Sequence, residues 1–318
     1  MDGFRKLSLI EKRKMAIEQL VEYYAEYRIY CFEKGDKLKG IKLRKKIYPL
    51  VKLILKLDQI LSSEKNIIIG DMHNSKTEGP HIYACTHIGG NDIQRTFQII
   101  NVPAYLMLGD PGILYKMPIY QGLKMNGVIP LETKNKKDRK IAYNRAIELL
   151  NKNGNLLIYP EGAWNVTPNQ VVMKIFTGTV RMAMETGADI IPIGVEQYGN
   201  VFYFNIGKNY TIDKNTSKTP EELTSELRDK LATLKWEIME QQPVLNRETI
   251  PDNYLQLFQS EIVERCNYGY GFSLEDAISE SFHDKNIISE EEVFAFLENM
   301  NFNLDNAYLA KQKRLIKN

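Results

Sequence analysis

The chain has 318 residues, of which 43% are hydrophobic and 26% charged, ordinary values for a globular protein that can bury a core. Its formal net charge of +2 argues against a general nucleic-acid-binding protein, and we predict no nucleic-acid partner. The charge is uneven, however: residues 1–60 hold about 15 Lys and Arg against about 8 acidic residues, whereas residues 242–318 hold about 7 against about 13.

The three cysteines, at positions 31, 85 and 266, are too far apart for a CxxC pair, so we expect reduced thiols instead of a disulfide framework. The first residues contain no apolar core of the kind found in a secretory signal. The longest apolar stretch, near residues 47–61, is interrupted by charged residues and is shorter than the roughly 20 residues that a membrane-spanning helix needs. We therefore expect an intracellular protein.

The first 63 residues are predicted to form a basic, amphipathic helical arm. Residues 8–33 read as one helix, a lysine-rich turn occupies residues 34–46, and a second helix runs to about residue 62. Apolar residues recur at helical spacing along the second helix, namely Leu50, Leu53, Ile54, Leu57 and Leu61. Two interpretations of this stripe stay open: it packs on the adjoining domain, or it contacts a membrane directly.

Strands and helices alternate through the centre of the chain. Short apolar runs bounded by turn residues predict strands at Asn66–Ile69, His81–Cys85, Ala104–Leu108, Val128–Leu131, Leu156–Tyr159 and Ile190–Val195, with another over residues 201–211. Helical patterns between them end before Gly154 and at Gly187, the second with Phe176, Val180 and Ala183 along one face. This order predicts an α/β domain over residues 64–242, with a mainly parallel sheet flanked by helices.

Beyond the sheet, the sequence predicts further helices. Thr219 and Glu222 enclose Pro220 in a capping box, which predicts that a helix begins there. After Gln242 the composition becomes acidic, and residues 243–318 read as a small helical extension with a second capping box at residues 289–292.

A histidine and an aspartate follow the strand at 81–85 and are the first candidates for chemistry. His87 and Asp92 are separated by four residues that include Gly89 and Gly90. Histidine is the side chain best suited to accept a proton near neutral pH, and a carboxylate one turn away can hold its tautomer and stabilise the imidazolium. The spacing alone is weakly specific, because a capping Asp beside a structural His gives the same pattern.

Three further blocks follow in order. They are Gly127-Val128-Ile129-Pro130-Leu131-Glu132-Thr133, Tyr159-Pro160-Glu161-Gly162-Ala163-Trp164-Asn165, and an apolar strand broken by Pro192. With His-x4-Asp, these blocks resemble the four ordered motifs of the glycerolipid acyltransferases, the family that includes bacterial 1-acylglycerol-3-phosphate acyltransferase. The resemblance covers roughly residues 80–200, and four motifs in the same order are far more specific than any one of them.

The resemblance implies an O-acyltransferase of phospholipid or glycerolipid biosynthesis. His87 would be the general base on the acceptor hydroxyl and Asp92 would orient it, while Glu161, Gly162, Trp164, Asn165 and Pro192 would belong to the substrate site. The acyl group would come from acyl-CoA or acyl-acyl carrier protein (acyl-ACP) as co-substrate, so acyl carrier protein is a candidate partner. It implies no metal and no bound cofactor. The expected location is cytoplasmic, peripheral on the inner face of the membrane.

The chain departs from the family pattern at two positions associated with the acceptor's phosphate. Thr133 stands where the second block ends in Arg, and Ala163-Trp164 stands where the third block reads Thr-Arg. Losing both arginines removes the bidentate donors that favour phosphate recognition. Lys134, with the lysines at 136 and 137, is a candidate replacement as a point charge. We therefore expect a glycolipid, a lysolipid with a larger head group, or a related lipid alcohol or amine to suit the site at least as well as lysophosphatidic acid.

Two other functions remain compatible with these residues. A lipid or ester hydrolase would use His87 and Asp92 to activate water, with or without a metal held by His87, Asp92 and Glu161, although a single His is poor metal spacing. A non-catalytic membrane-bound scaffold would keep the fold without the reaction. The intact His-x4-Asp and Pro-Glu-Gly blocks argue against the scaffold.

Overall fold

A computed structural model of the chain describes residues 4–70, 79–167, 170–244, 246–267, 273–280, 301 and 303. The chain divides into two compact units, Met1–Phe282 and His283–Asn318, and nearly all the described residues belong to the first. The second predicted capping box, at residues 289–292, lies outside the described residues. In the described part of the predicted helical extension, the structure has two helices between residues 254 and 280.

The first unit is built on a seven-stranded sheet with the order β1-β7-β6-β2-β5-β3-β4. The strands are β1 Lys65–Ile68, β2 His81–Cys85, β3 Ala104–Gly109, β4 Val128–Leu131, β5 Asn155–Ile158, β6 Asp189–Tyr198 and β7 Val201–Ile206. All neighbours pair in parallel except β6 and β7, which are consecutive in the chain and pair antiparallel. The predicted mainly parallel α/β sheet is confirmed. The last predicted strand is shorter than expected, because after Ile206 only Tyr210 rejoins the sheet, through an isolated bridge to Ile190.

Ten α-helices accompany the sheet in the part of the chain that the structure describes. They are α1 Leu9–Lys14, α2 Ile17–Glu33, α3 Ile41–Ser62, α4 Asp92–Ile100, α5 Pro118–Asn126, α6 Lys136–Asn151, α7 Gly178–Thr186, α8 Pro220–Met239, α9 Tyr254–Asn267 and α10 Leu274–Glu280. The Thr219–Glu222 capping box begins α8 as predicted. Phe176, expected on the face of a helix, lies before α7 and is 43% exposed.

The single helix predicted over residues 8–33 is wrong, because the chain is extended at Met15 and Ala16. The side chain of Gln19 accepts a hydrogen bond from the Ala16 backbone N–H at 3.2 Å. That bond satisfies a donor that a continuous helix would have paired internally, so α2 begins at Ile17. The turn predicted over residues 34–46 is shorter than expected, because α3 already begins at Ile41.

The core has two layers, one on each face of the sheet. Successive side chains of a strand point to opposite faces, and on β2 Ile82 and Ala84 join one apolar cluster while Tyr83 and Cys85 join the other. Helices α6, α7 and α8 contribute to the first cluster and α4 to the second. Helices on both faces leave the carboxyl ends of the parallel strands as one edge where loops converge.

Candidate active site

The predicted motifs converge because they follow strands that run in parallel. His87 comes two residues after β2, Glu161 three residues after β5 and Thr133 two residues after β4. Strands β2 and β5 are neighbours in the sheet, and β2 also pairs with β6, which contains Pro192 opposite Ala84. The carboxyl ends of parallel strands meet at one edge, so the four blocks lie around it.

His87 and Asp92 form a hydrogen-bonded pair. The distance between His87 Nδ1 and Asp92 Oδ2 is 2.7 Å, and the same oxygen accepts the backbone N–H groups of Ile88 at 2.9 Å and Gly89 at 3.0 Å. The Asp92 side chain is buried, whereas that of His87 keeps 13% of its surface exposed. A carboxylate accepts a hydrogen at Nδ1, so this bond favours the tautomer whose lone pair is on Nε2.

The loop that joins the two residues depends on its glycines. Gly89 and Gly90 have φ angles of +83° and +64°, a region that residues with a Cβ adopt at a cost. This path turns the Ile88 and Gly89 N–H groups toward Asp92, the first residue of α4. A helix N-terminus favours negative charge, so both the loop N–H groups and the start of α4 stabilise the Asp92 carboxylate.

The block after β5 holds the backbone of His87 on both sides. The His87 N–H donates to Glu161 Oε1 at 2.9 Å, and the carbonyl oxygen of His87 accepts the Asn165 N–H at 2.9 Å. The other oxygen of Glu161 accepts the Met173 N–H at 2.9 Å, and the Asn165 side chain accepts from Thr167 and donates to the carbonyls of residues 170 and 171. Glu161 and Asn165 were predicted in the substrate site. In the structure the Glu161 carboxylate and the Asn165 N–H bind the His87 backbone directly, and the Asn165 side chain binds the backbone of residues 167, 170 and 171.

Charge around Glu161 is balanced within the core. Glu161 is completely buried, and burial raises the pKa of its carboxyl, with Lys235 and the two N–H donors acting in the opposite direction. Lys235, on α8, is itself buried and pairs with Glu196 at 2.8 Å. Burial works to lower the pKa of Lys235, but Glu196 and Glu161 outweigh it and the net shift is upward. Lys235 was missed from the sequence, since it reads as an ordinary polar position of a helix.

Two aromatic rings border the imidazole. The Tyr159 ring centroid lies 4.3 Å from that of His87, and the Tyr159 hydroxyl donates to Thr96 on α4 at 3.1 Å. Burial raises the pKa of Tyr159 well above its usual value, so this hydroxyl stays protonated. Trp164 stands edge-on to His87, with ring centroids 6.4 Å apart. At position 164, where the resemblance leads us to expect arginine, an indole therefore lies beside the candidate base.

Four predicted residues remain, and the structure places each of them differently. The Thr133 backbone N–H donates to Asp110 at 2.9 Å, and its hydroxyl donates to the same carboxylate. Lys134 is exposed on the turn before α6. Gly162 is exposed with a φ of +78°, and Pro192 is buried inside β6.

A buried arginine connects the N-terminal arm to this site. Arg95, on α4 one turn after Asp92, is fully buried and donates to Glu64 at 2.7 Å and to Asp58 near the end of α3. Glu64 also accepts from Asn91, the residue before Asp92. Arg95 was not predicted as part of the site, although a charged residue among the apolar positions of α4 is visible in the sequence.

Comparison with known proteins adds family and fold to this geometry. Residues 66–196 match the protein family described as Acyltransferase. A crystal structure of the 1-acyl-sn-glycerophosphate (LPA) acyltransferase PlsC from Thermotoga maritima superposes with a TM-score of 0.52 at 16% identity, covering 70% of this chain and 91% of that one. No curated protein matches the chain by sequence. Among the described residues, no group of three or more His, Cys, Asp or Glu is placed to hold a metal ion. The predicted resemblance is confirmed by the match of residues 66–196 to the Acyltransferase family, and the chain has the fold seen in PlsC.

Proposed function

We propose that the protein transfers a fatty acyl group from the thioester of acyl-CoA or acyl-ACP to a hydroxyl of a lysophospholipid, a glycolipid or a related lipid. The observation that carries this proposal is the 2.7 Å contact between His87 Nδ1 and the buried Asp92. It leaves His87 Nε2 as the proton acceptor, in a side chain that still reaches solvent. Such an arrangement suits general-base catalysis, which typically contributes 10²–10⁴-fold in rate.

The proposed reaction uses His87 twice. Nε2 takes the proton of the acceptor hydroxyl as that oxygen attacks the thioester carbonyl carbon. The imidazolium, stabilised by Asp92, then returns the proton to the departing sulfur as the C–S bond breaks, which yields an ester and a free thiol. Glu161 and Asn165 support this step by holding the His87 backbone at both its N–H and its carbonyl.

A membrane surface is the proposed source of the lipid acceptor, with α3 as the contact. The apolar stripe predicted on this helix is not packed on the domain: Leu50, Leu53, Ile54, Leu57 and Leu61 are between 48% and 85% exposed. The opposite face, with Tyr48 and Val51, is buried. At 100° per residue the exposed Lys45, Lys52 and Lys56 form a basic strip between the apolar stripe and the buried face, as in helices that lie in a lipid interface. None of the described helices is both long and apolar enough to cross a bilayer, and we propose peripheral binding to the cytoplasmic face.

One assay distinguishes this function from the alternatives. The protein would be incubated with a radiolabelled acyl-CoA or acyl-ACP and a lipid extract, and the products separated. Label in the lipid fraction supports transfer, release of free fatty acid supports a hydrolase, and recovery of intact thioester supports a scaffold. His87→Ala, measured in parallel, should remove whichever activity the pair performs.

A further inference from the structure

Helix α9, from the C-terminal region outside the matched family segment, reaches the His-x4-Asp loop. A Cβ placed on Gly90 would lie 3.9 Å from Cβ of Arg265 and 3.6 Å from Oε1 of Gln197. Arg265 Nη1 donates to the same Gln197 oxygen at 3.0 Å. Arg265 of α9 is therefore a direct neighbour of the loop between His87 and Asp92.

The same helix also covers the other side of the site. Phe258 and Ile262 pack with Trp164 and Val166 in one apolar cluster, which Leu274 and Ala277 of α10 complete. Gln259 donates to the Val166 carbonyl at 3.3 Å. Positions 258, 262 and 265 share one face of a helix, so α9 contacts the Trp164 segment and the Gly90 loop with a single face.

Arg265 retains capacity to bind an anion. Among the described residues its buried Nε has no hydrogen-bond partner, and its guanidinium pairs with Glu261 at 3.9 Å, whose side chain is 69% exposed. A solvated pair at that distance is weak. The Arg265 side chain is 26% exposed, so part of it is accessible to a ligand.

We propose that Arg265 binds the phosphate of a lysophospholipid acceptor and, together with Trp164, selects a phosphodiester head group. This proposal deepens the proposed function and rests on it. The resemblance leads us to expect arginine at positions 133 and 164, where Thr133 and Trp164 stand, so a single guanidinium near the loop would take the place of two. One fixed positive charge matches a phosphodiester, which carries a single negative charge, better than a phosphate monoester with nearly two. The indole then offers an apolar surface to the larger head group.

The test compares Arg265→Gln with the unmodified protein on three acceptors: lysophosphatidylglycerol, lysophosphatidic acid and uncharged monoacylglycerol. We expect kcat/KM for lysophosphatidylglycerol to fall about 10- to 100-fold, the value of one charge-assisted hydrogen bond. The value for monoacylglycerol should change less than about threefold, since that acceptor has no phosphate. For lysophosphatidylglycerol, kcat/KM of Arg265→Lys should lie between the values of the unmodified protein and of Arg265→Gln, because lysine keeps the charge and loses the planar fork. Arg181→Gln is the matched control, since it removes an exposed arginine paired with Glu221.

Donor phosphates are the other source of this chemistry, and a second arm separates them. The acyl group is supplied either on CoA or on N-acetylcysteamine, which has no phosphate. A loss in Arg265→Gln that persists with both donors supports acceptor binding, whereas a loss seen with CoA alone overturns it. Equal losses on lysophosphatidylglycerol and monoacylglycerol would also overturn the proposal, because they would mean that α9 only supports the fold.

Direct binding keeps the proposal testable if no transfer is observed. In a Trp236→Phe background, Trp164 is the remaining tryptophan of the two in the chain, and its fluorescence reports on the site. Short-chain lysophosphatidylglycerol should bind about 10- to 100-fold more weakly to Arg265→Gln, with monoacylglycerol unaffected. Unchanged affinity would overturn the Arg265 proposal, whereas absent transfer with the expected binding would count against the proposed reaction alone.

Discussion

The backbone N–H of His87 donates a 2.9 Å hydrogen bond to the buried carboxylate of Glu161. The candidate base is therefore held in place by a residue 74 positions further along the chain. Glu161 is a positioning residue in this arrangement, since both of its oxygens accept backbone N–H groups.

Glu161→Gln should lower kcat about 10- to 100-fold with a smaller change in KM for the acyl donor. Only one oxygen of glutamine can accept, so its amide N–H₂ meets either the His87 or the Met173 N–H, and a buried donor left unsatisfied costs about 1–3 kcal/mol. Steady-state kinetics measure the effect. Glu148→Gln on α6 is the control, because that carboxylate contacts Leu38, Arg145 and Lys152 and not the site. A KM effect without a kcat effect would contradict a positioning role.

The pH dependence of stability should differ in sign between these two variants. Burial raises the pKa of Glu161, so the folded protein binds that proton more tightly than the unfolded chain. Its contribution to stability therefore declines as the pH rises from 4.5, the ordinary pKa of a glutamate, through the raised pKa of the folded protein. For Glu148, burial works to raise the pKa, but Lys152, the Leu38 N–H and Arg145 lower it to about 2, so its contribution is lost as the pH falls from 4.5 to about 2.

Urea unfolding measured at several pH values checks both signs. The difference in unfolding free energy between the unmodified protein and Glu161→Gln should shrink as the pH rises above 4.5. The same difference for Glu148→Gln should grow as the pH rises from 2 to 4.5. Parallel slopes for the two variants would show that the burial argument for Glu161 is wrong.

His87→Ala should reduce acyl transfer by about 10²–10⁴-fold, the typical contribution of a general base. The melting temperature should change little, because the Asp92 carboxylate keeps the Ile88 and Gly89 N–H groups when the imidazole is removed. Asp92→Asn should lose most of the activity as well. Among the described residues Asp92 Oδ1 is buried without a hydrogen-bond partner, so an amide nitrogen placed there has no acceptor. The opposite orientation turns that nitrogen against His87. Retention of more than about a tenth of the turnover by His87→Ala would refute the mechanism.

The membrane proposal is best tested by point variants, because deletion of the arm would also remove the Asp58 partner of Arg95 next to the active site. Lys52→Glu with Lys56→Glu should weaken binding to anionic vesicles at least about tenfold at low salt, since each basic residue near such a surface contributes about 1 kcal/mol. Binding to neutral vesicles should change little. Vesicle cosedimentation measures both.

Lys208→Glu with Lys214→Glu makes the same charge change at exposed positions after β7 and serves as the control. In a second pair, Leu53→Ser with Leu57→Ser should weaken binding to both vesicle types, because burial of apolar surface is independent of lipid charge. If the α3 lysine variant and its control behaved alike, net charge and not the α3 face would govern binding.

The sequence predicted the fold well because hydrophobic periodicity is a local signal. The strands at His81–Cys85 and Val128–Leu131 have the predicted bounds, and the others differ by a few residues at their ends. His87 and Asp92 were found because their spacing is contained in one loop. Lys235, Arg95 and Arg265 were not, since each acts through partners 30 or more positions away that local patterns do not reveal.

The α3 stripe shows a different limit. Its periodicity established that one face is apolar, but a helix with exposed leucines and a helix with buried ones have the same pattern. Which face packs was decided by the burial of Tyr48 and Val51 and by the contact of Asp58 with Arg95 of α4, and these depend on parts of the fold distant in sequence. The identity of the acceptor is similarly hidden, because it depends on side chains from several loops.

Lysophosphatidic acid should be a poor acceptor compared with neutral glycolipids and lysolipids that have larger head groups. Thr133 and Trp164 stand where the resemblance leads us to expect arginine, and each missing charge-assisted hydrogen bond costs about 1.5–3 kcal/mol.

Thr133→Arg is the obvious restoration, but on its own it should improve the use of lysophosphatidic acid only slightly. The Asp110 carboxylate accepts both the backbone N–H and the hydroxyl of Thr133, so an arginine there would pair with Asp110. Thr133→Arg combined with Asp110→Asn should raise kcat/KM for lysophosphatidic acid about tenfold, with Asp110→Asn alone as the control. A clear preference of the unmodified enzyme for lysophosphatidic acid would instead mean that Lys134, the neighbouring lysines or Arg265 already supply the charge that a phosphate monoester needs.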